Sequence, residues 1–162
     1  MQKVGIIMGS DSDSPIIEKT TKMLKDFDIP YEVHIFSAHR TPKEAKDFAE
    51  NARNNGFGVL IAAAGMAAHL AGAIAANTTL PVIGIPCKGL NMEGLDALLS
   101  TVQMPTGIPV ATVAINGGAN AAILAAQILA IEDASLAKKL DDKRKADASS
   151  VLDKDKNIAS KM

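Results

Sequence analysis

His39 and Arg40 stand side by side in Ser37-Ala38-His39-Arg40-Thr41-Pro42. The first is an imidazole, the one side chain there whose ordinary titration falls near neutral pH; the second is a guanidinium that stays charged. Together they suit acid/base chemistry on an anion. Tyr31-Glu32-Val33-His34-Ile35-Phe36 ahead of them reads as a β-strand. Thr41-Pro42-Lys43-Glu44 behind them predicts a helix start, with Thr41 as N-cap, Pro42 at the first helical position and Glu44 closing a capping box. His39 and Arg40 then occupy a short strand-to-helix loop, where free backbone N–H groups favour negative charge and Arg40 adds a bidentate clamp for phosphate or carboxylate. Taken alone, a His-Arg pair is more often a solvated surface feature, so the remaining polar groups decide.

Two further loops carry unusual residues. In Gly9-Ser10-Asp11-Ser12-Asp13-Ser14, Gly9 permits a tight turn, and Ser10 and Ser12 offer donors at the start of a helix opened by Ser14-Pro15. That suits a phosphate, with Asp13 the better placed of the two carboxylates to accept from a ribose diol. Simple capping of the first helix explains the same residues equally well. The other loop, Ala64-Gly65-Met66-Ala67-Ala68-His69, is small and apolar. It predicts a dry, narrow recess, or only close helix-to-strand packing. His69 is a capping, core or site histidine, the last favoured by its company. His34 lies within a strand without a visible partner and is read as structural.

The elements that position these loops alternate. Short apolar strands are predicted at Val4–Met8, Tyr31–Phe36, Val59–Ala63, Val82–Ile85 and Val110–Ile115, with helices from Ser14 to about Phe27, from Pro42 to before Gly56, and over Gly94–Thr101. This βαβ series predicts a three-layer α/β sandwich with a central parallel sheet of flavodoxin-like order, in which every strand-to-helix loop emerges at one edge. The three loops belong on one rim. Leu70–Ala76 and Ala119–Ile131 are apolar on nearly all sides, which points to burial between subunits. From Ser135 the chain turns to Lys, Asp and Ala around Leu136, Leu140, Val151 and Leu152, the pattern of a protruding C-terminal helix over about 135–154 with a loose tail at 155–162. A single domain over 1–162 is expected, its core at about 3–133.

Seventeen basic and 18 acidic residues are interspersed, for a formal net charge of -1, so no broad basic face exists for nucleic acid or an anionic membrane. The N-terminus shows no signal-peptide pattern, which makes a cytoplasmic protein the expectation. Cys87, the one cysteine, allows neither an internal disulfide nor a cysteine metal cluster and is read as a small buried residue.

Gly9-Ser10-Asp11-Ser12-Asp13, Ser37-Ala38-His39-Arg40-Thr41-Pro42, Gly65-Met66-Ala67-Ala68-His69-Leu70 and Gln103-Met104-Pro105-Thr106-Gly107-Ile108-Pro109-Val110-Ala111-Thr112-Val113 together resemble the N5-carboxyaminoimidazole ribonucleotide mutase family of purine biosynthesis, over roughly Val4 to Ile131. The resemblance implies movement of a carboxylate from the exocyclic nitrogen of an aminoimidazole ribonucleotide to ring carbon 4, with no cofactor, metal or ATP. It implies His39 as the acid/base, Ser10, Asp13 and Arg40 as nucleotide contacts, and Ser37, Ala64, Gly65 and His69 as pocket lining; Ser12 and Ala38 join the substrate-binding set as their loop neighbours. It also implies a homo-octamer. The carbon-dioxide-dependent carboxylases on the same scaffold typically carry lysine after Ser-Ala-His and lack Ala-Ala-His-Leu, so Arg40 and His69 favour the mutase. Departures from the family pattern are Met66 where glycine is frequent, Ala71 where proline is frequent, and a short turn at Asn116–Asn120. Two other classes share the architecture. A receiver domain needs an aspartate at the end of the third strand, where Ala62-Ala63-Ala64-Gly65 has none. A flavin module needs aromatic stackers, which at 3% aromatic residues are scarce.

Overall fold

The computed structural model describes residues 1–161. Its strands are β1 (Lys3–Met8), β2 (Tyr31–Ile35), β3 (Phe57–Gly65), β4 (Val82–Cys87) and β5 (Ala111–Thr112). Its α-helices are α1 (Ser14–Asp26), α2 (Pro42–Asn51), α3 (Leu70–Ala75), α4 (Leu95–Val102), α5 (Gly118–Leu129) and α6 (Ala134–Ala159). All strand pairs are parallel, in the order β2-β1-β3-β4-β5. The chain therefore leaves β1 toward one edge and returns on its other side at β3, so the crevice between β1 and β3 is the switch point at which such sheets bind ligands.

The apolar runs explain the layering. β3 and β4 are buried almost end to end because helices cover both faces, whereas β2 at the edge leaves Val33 and Ile35 exposed. On one face Ile6, Ile61, Ile83 and Ile85 pack with Leu24 of α1 and Ala121, Ala122, Ala125 and Ala126 of α5. On the other, Ile7, Leu60, Ala62 and Val82 pack with Ala45 and Ala49 of α2 and Leu70 and Ile74 of α3. Each fully buried Leu or Ile contributes roughly 1.5–3 kcal/mol. Gly118 sets the approach of α5 to α1: a Cβ there would stand 2.4 Å from the Ile16 carbonyl oxygen, and the Thr20 hydroxyl donates to the Gly118 carbonyl at 3.0 Å.

The structure differs from the sequence reading in several places. α3 and α5 bury most of their apolar side chains within this one chain, because α2 and α1 lie over them, so their composition by itself gives no reason to invoke a subunit boundary. The exposed apolar stripe lies instead on α4, where Leu95, Leu99 and Val102 recur on one side. β5 is two residues long: the Val113 N–H still reaches the Gly84 carbonyl at 3.1 Å, but the turn closed by the Gly117 N–H on the Ala114 carbonyl ends the ladder. Finally, α6 starts with the Asp133 carboxylate accepting from the Leu136 N–H at 3.0 Å, anchors the buried Leu136, and runs on to Ala159, past the expected end near 154. Neither glycine nor proline interrupts it, and Lys–Asp pairs at i,i+4 support its exposed surface. Among the described residues no helix is long and apolar enough to cross a membrane.

Candidate active site

The loops after β1, β2 and β3 meet at the carboxyl edge of the sheet. In the Ser37–Thr41 loop the Ser37 hydroxyl accepts from the backbone N–H groups of His39 (3.3 Å) and Arg40 (3.2 Å). The Thr41 hydroxyl accepts from the Ser37 N–H at 2.8 Å, and the Thr41 N–H donates to the Ser37 carbonyl at 2.9 Å. Thr41 is the N-cap residue and Pro42 opens α2 as expected, but the capping box is not formed. The Thr41 hydroxyl and N–H are both used to close the loop, which presents His39 and Arg40 outward.

His39 Nε2 lies 2.8 Å from His69 Nδ1, with the rings nearly perpendicular at 85° and their centroids 5.0 Å apart. One nitrogen carries the shared hydrogen and the other accepts it, so the two rings cannot both be cations while they hold this contact. His69 occupies the N-cap position of α3 without capping it, and it is exposed, so neither the capping nor the core reading describes it. Tight turns at Ala67 and Ala68, with N–H to O contacts of 2.9 and 2.8 Å, deliver the ring to the rim.

Arg40 ties the second loop to the first: its Nη2 donates to the Gly9 carbonyl at 3.1 Å, leaving the other guanidinium donors for a ligand. The Ser10 hydroxyl accepts from the Ser12 N–H (3.3 Å) and hydroxyl (3.0 Å) and lies 3.1 Å from an Asp11 carboxylate oxygen. Ser10 thus does cap the short turn Asp11–Asp13, while Asp11 points to solvent. Asp13 behaves otherwise. It holds the N-cap position of α1 with no capping bond, and it is buried, 8% exposed. Burial pushes its carboxyl above the usual range, with the Cys87 thiol and the Ser10 backbone opposing that shift. Burial and the neighbouring Asp13 charge push the Cys87 thiol strongly up, so it stays protonated and is no nucleophile.

Ala64 and Gly65 end β3 beside this group. A Cβ on Gly65 would stand 3.2 Å from the Cys87 carbonyl oxygen, tighter than ordinary contact, so a larger residue there would press on the end of β4. Ala38 is half-buried against the α2–α3 side of the sheet. His34 stacks on Phe36 at 5.1 Å and 7° and lies at the same centroid distance from Phe48. Three contributions were not visible in sequence: the Gly9 carbonyl under Arg40, the Thr41 hydroxyl under Ser37, and Cys87 beside Asp13. A groove of about 990 Å³ lined by Glu50, Arg53, Asn77 and Pro109 includes none of the rim residues.

The family model described as AIR carboxylase matches residues 3–150. The chain is 54% identical over 140 residues to an N5-carboxyaminoimidazole ribonucleotide mutase of Pyrococcus abyssi, covering 86% of this chain and 80% of that protein. It is 51% identical over 154 residues to the protein of the same name from Thermotoga maritima, covering 95% and 90%. The crystal structure of Treponema denticola PurE superposes with a TM-score of 0.87 at 30% identity, covering 95% of this chain and 96% of that one.

Proposed function

The chain belongs to the AIR carboxylase family, and from that premise we infer that it is an N5-carboxyaminoimidazole ribonucleotide mutase, an isomerase of purine biosynthesis. The observation that carries the reading is identity above one half to proteins of that name over most of the chain, in a molecule whose rim joins an imidazole pair to a guanidinium.

The residues support the following division of work. Arg40, Ser10 and nearby backbone N–H groups hold the phosphate, with Ser12 steadying Ser10. Asp13 accepts from the ribose hydroxyls; a desolvated carboxylate gains most from two such donors. Ser37 and Ala38 set the approach of His39, and Ala64, Gly65 and His69 line the space beside the ring. The bond from the exocyclic nitrogen to the carboxylate then breaks, its electron pair staying on nitrogen, which takes a proton from His39. Carbon 4 attacks the released carbon dioxide, forming the new carbon–carbon bond, and His39 recovers a proton from carbon 4. The proton account closes on one imidazole, and nothing is consumed. Holding the gas beside carbon 4 spares the second step a bimolecular encounter.

We further propose a cytoplasmic homo-octamer. The exposed stripe of Leu95, Leu99 and Val102 on α4, with Leu90 and Met92 just before it in the chain, is apolar surface of the kind subunits cover. Light scattering at eight times the 16.9 kDa chain mass is the expected result, and a monomer contradicts it. For the reaction, the N5-carboxylated and the uncarboxylated ribonucleotides are offered separately, with and without bicarbonate, and the product is followed by absorbance. Turnover of the first without bicarbonate is expected; turnover only of the second with bicarbonate makes the protein a carboxylase instead.

A further inference from the structure

Met66 is held at φ 55°, in the left-handed region where glycine sits freely and a side chain costs roughly 1–2 kcal/mol. Core packing does not repay that cost, because Met66 is 67% exposed. Its surroundings give the side chain another use. Gly65 and Cys87 are paired at the ends of β3 and β4, so the loops that follow run side by side. Met66 Cγ lies 3.5 Å from where a Cβ on Gly89 would stand, an ordinary contact distance across the gap between those loops. The facing loop is itself pinned: the Lys88 N–H donates to Asn116 Oδ1 at 2.9 Å, and Lys88 pairs with Glu93. Met66 also directs the chain toward His69, because its carbonyl accepts the Ala68 N–H at 2.9 Å.

Carbon dioxide carries no charge and offers little to a hydrogen-bond donor, so only walls retain it. In the mutase reading Ala64 and Gly65 line the space beside the ring, and side chains this small leave its outer side to their neighbours. We propose that Met66 is a positioning residue for gas retention: laid toward Gly89, its flexible, polarisable side chain forms the outer wall of the recess that begins at Ala64 and Gly65. The inference rests on the mutase reading above. It concerns the interval between the two bond changes, when carbon dioxide and the uncarboxylated ribonucleotide occupy the site together. Escape of the gas leaves free aminoimidazole ribonucleotide, and entry of dissolved gas gives product bearing a carbon from solution.

The test is the isotope content of the product formed from unlabelled N5-carboxylated substrate in 13C-bicarbonate with carbonic anhydrase present. The parent enzyme is expected to give mostly unlabelled product. Met66→Gly is expected to raise both the labelled fraction and the yield of free aminoimidazole ribonucleotide by roughly fivefold or more, while Met66→Leu stays at the parental fraction. The thermal midpoint of Met66→Gly is expected to equal or exceed that of the parent, since the strained φ is relieved. Met66→Ala serves the same comparison if the glycine variant does not fold. A parental labelled fraction in the truncated variant, or complete scrambling by the parent, overturns the inference and leaves the mutase assignment standing. Absence of any product from the parent enzyme without bicarbonate overturns the assignment itself.

Discussion

His39 Nε2 and His69 Nδ1 are 2.8 Å apart although 30 residues separate them in the chain, so the second imidazole fixes the ring orientation of the first. Replacing His69 by Ala frees the His39 ring to rotate. The loss of one net hydrogen bond, about 0.5–1.5 kcal/mol, corresponds to a fall in kcat of roughly 2- to 13-fold with KM changed less. Added imidazole is expected to restore part of the rate by filling the vacated space. Unchanged kcat in His69→Ala makes the contact incidental.

Arg40 already spends one donor on the Gly9 carbonyl, which leaves the rest of its fork for the proposed phosphate. Charge-assisted hydrogen bonds of about 1.5–3 kcal/mol make Arg40→Ala raise KM by roughly ten- to a hundredfold. Arg40→Lys is expected to fall between the two, because lysine keeps the charge and loses the fork. Steady-state kinetics on the three proteins checks the order, and equal KM values remove Arg40 from the phosphate.

Asp13 gives a prediction on stability. Burial raises its folded-state pKa above the ordinary 3.8, so the folded protein binds more protons than the unfolded chain in the window just above that value. The folded state is therefore favoured below 3.8 and loses that advantage as pH rises through the raised pKa. Asn has no such dependence. The thermal midpoint of Asp13→Asn minus that of the parent is expected to grow as pH rises through that window and then to level off. At neutral pH the variant is at least as stable and binds the ribonucleotide more weakly. A midpoint difference that is flat with pH contradicts the desolvated carboxylate.

Alternating strands and helices, and loops bearing Ser10, His39 and His69, were readable from residue type and period, because burial on both faces of β3 and β4 leaves a continuous apolar run. The long reach of α6 was not, since a sparse apolar stripe predicts fraying and takes no account of the Lys138–Asp142 and Lys143–Asp147 pairs or of a run without glycine or proline. The capping box at Thr41 failed for a related reason: the same hydroxyl has two possible uses, and the one realised depends on how Ser37 turns. Neighbourhoods across the sheet were hidden altogether. Cys87 sits beside Asp13 only because the register sets Gly65 opposite Cys87, and the left-handed Met66 leaves no mark in a run of small residues.

The claim on which the rest depends is that His39 removes the hydrogen from carbon 4. Substrate carrying deuterium at that carbon, followed in a single turnover, reports the step as washout of deuterium into water. His39→Asn, which leaves the fold and Arg40 in place, is expected to bind substrate and to release deuterium about 10²–10⁴ times more slowly than the parent. Washout at the parental rate would contradict the account.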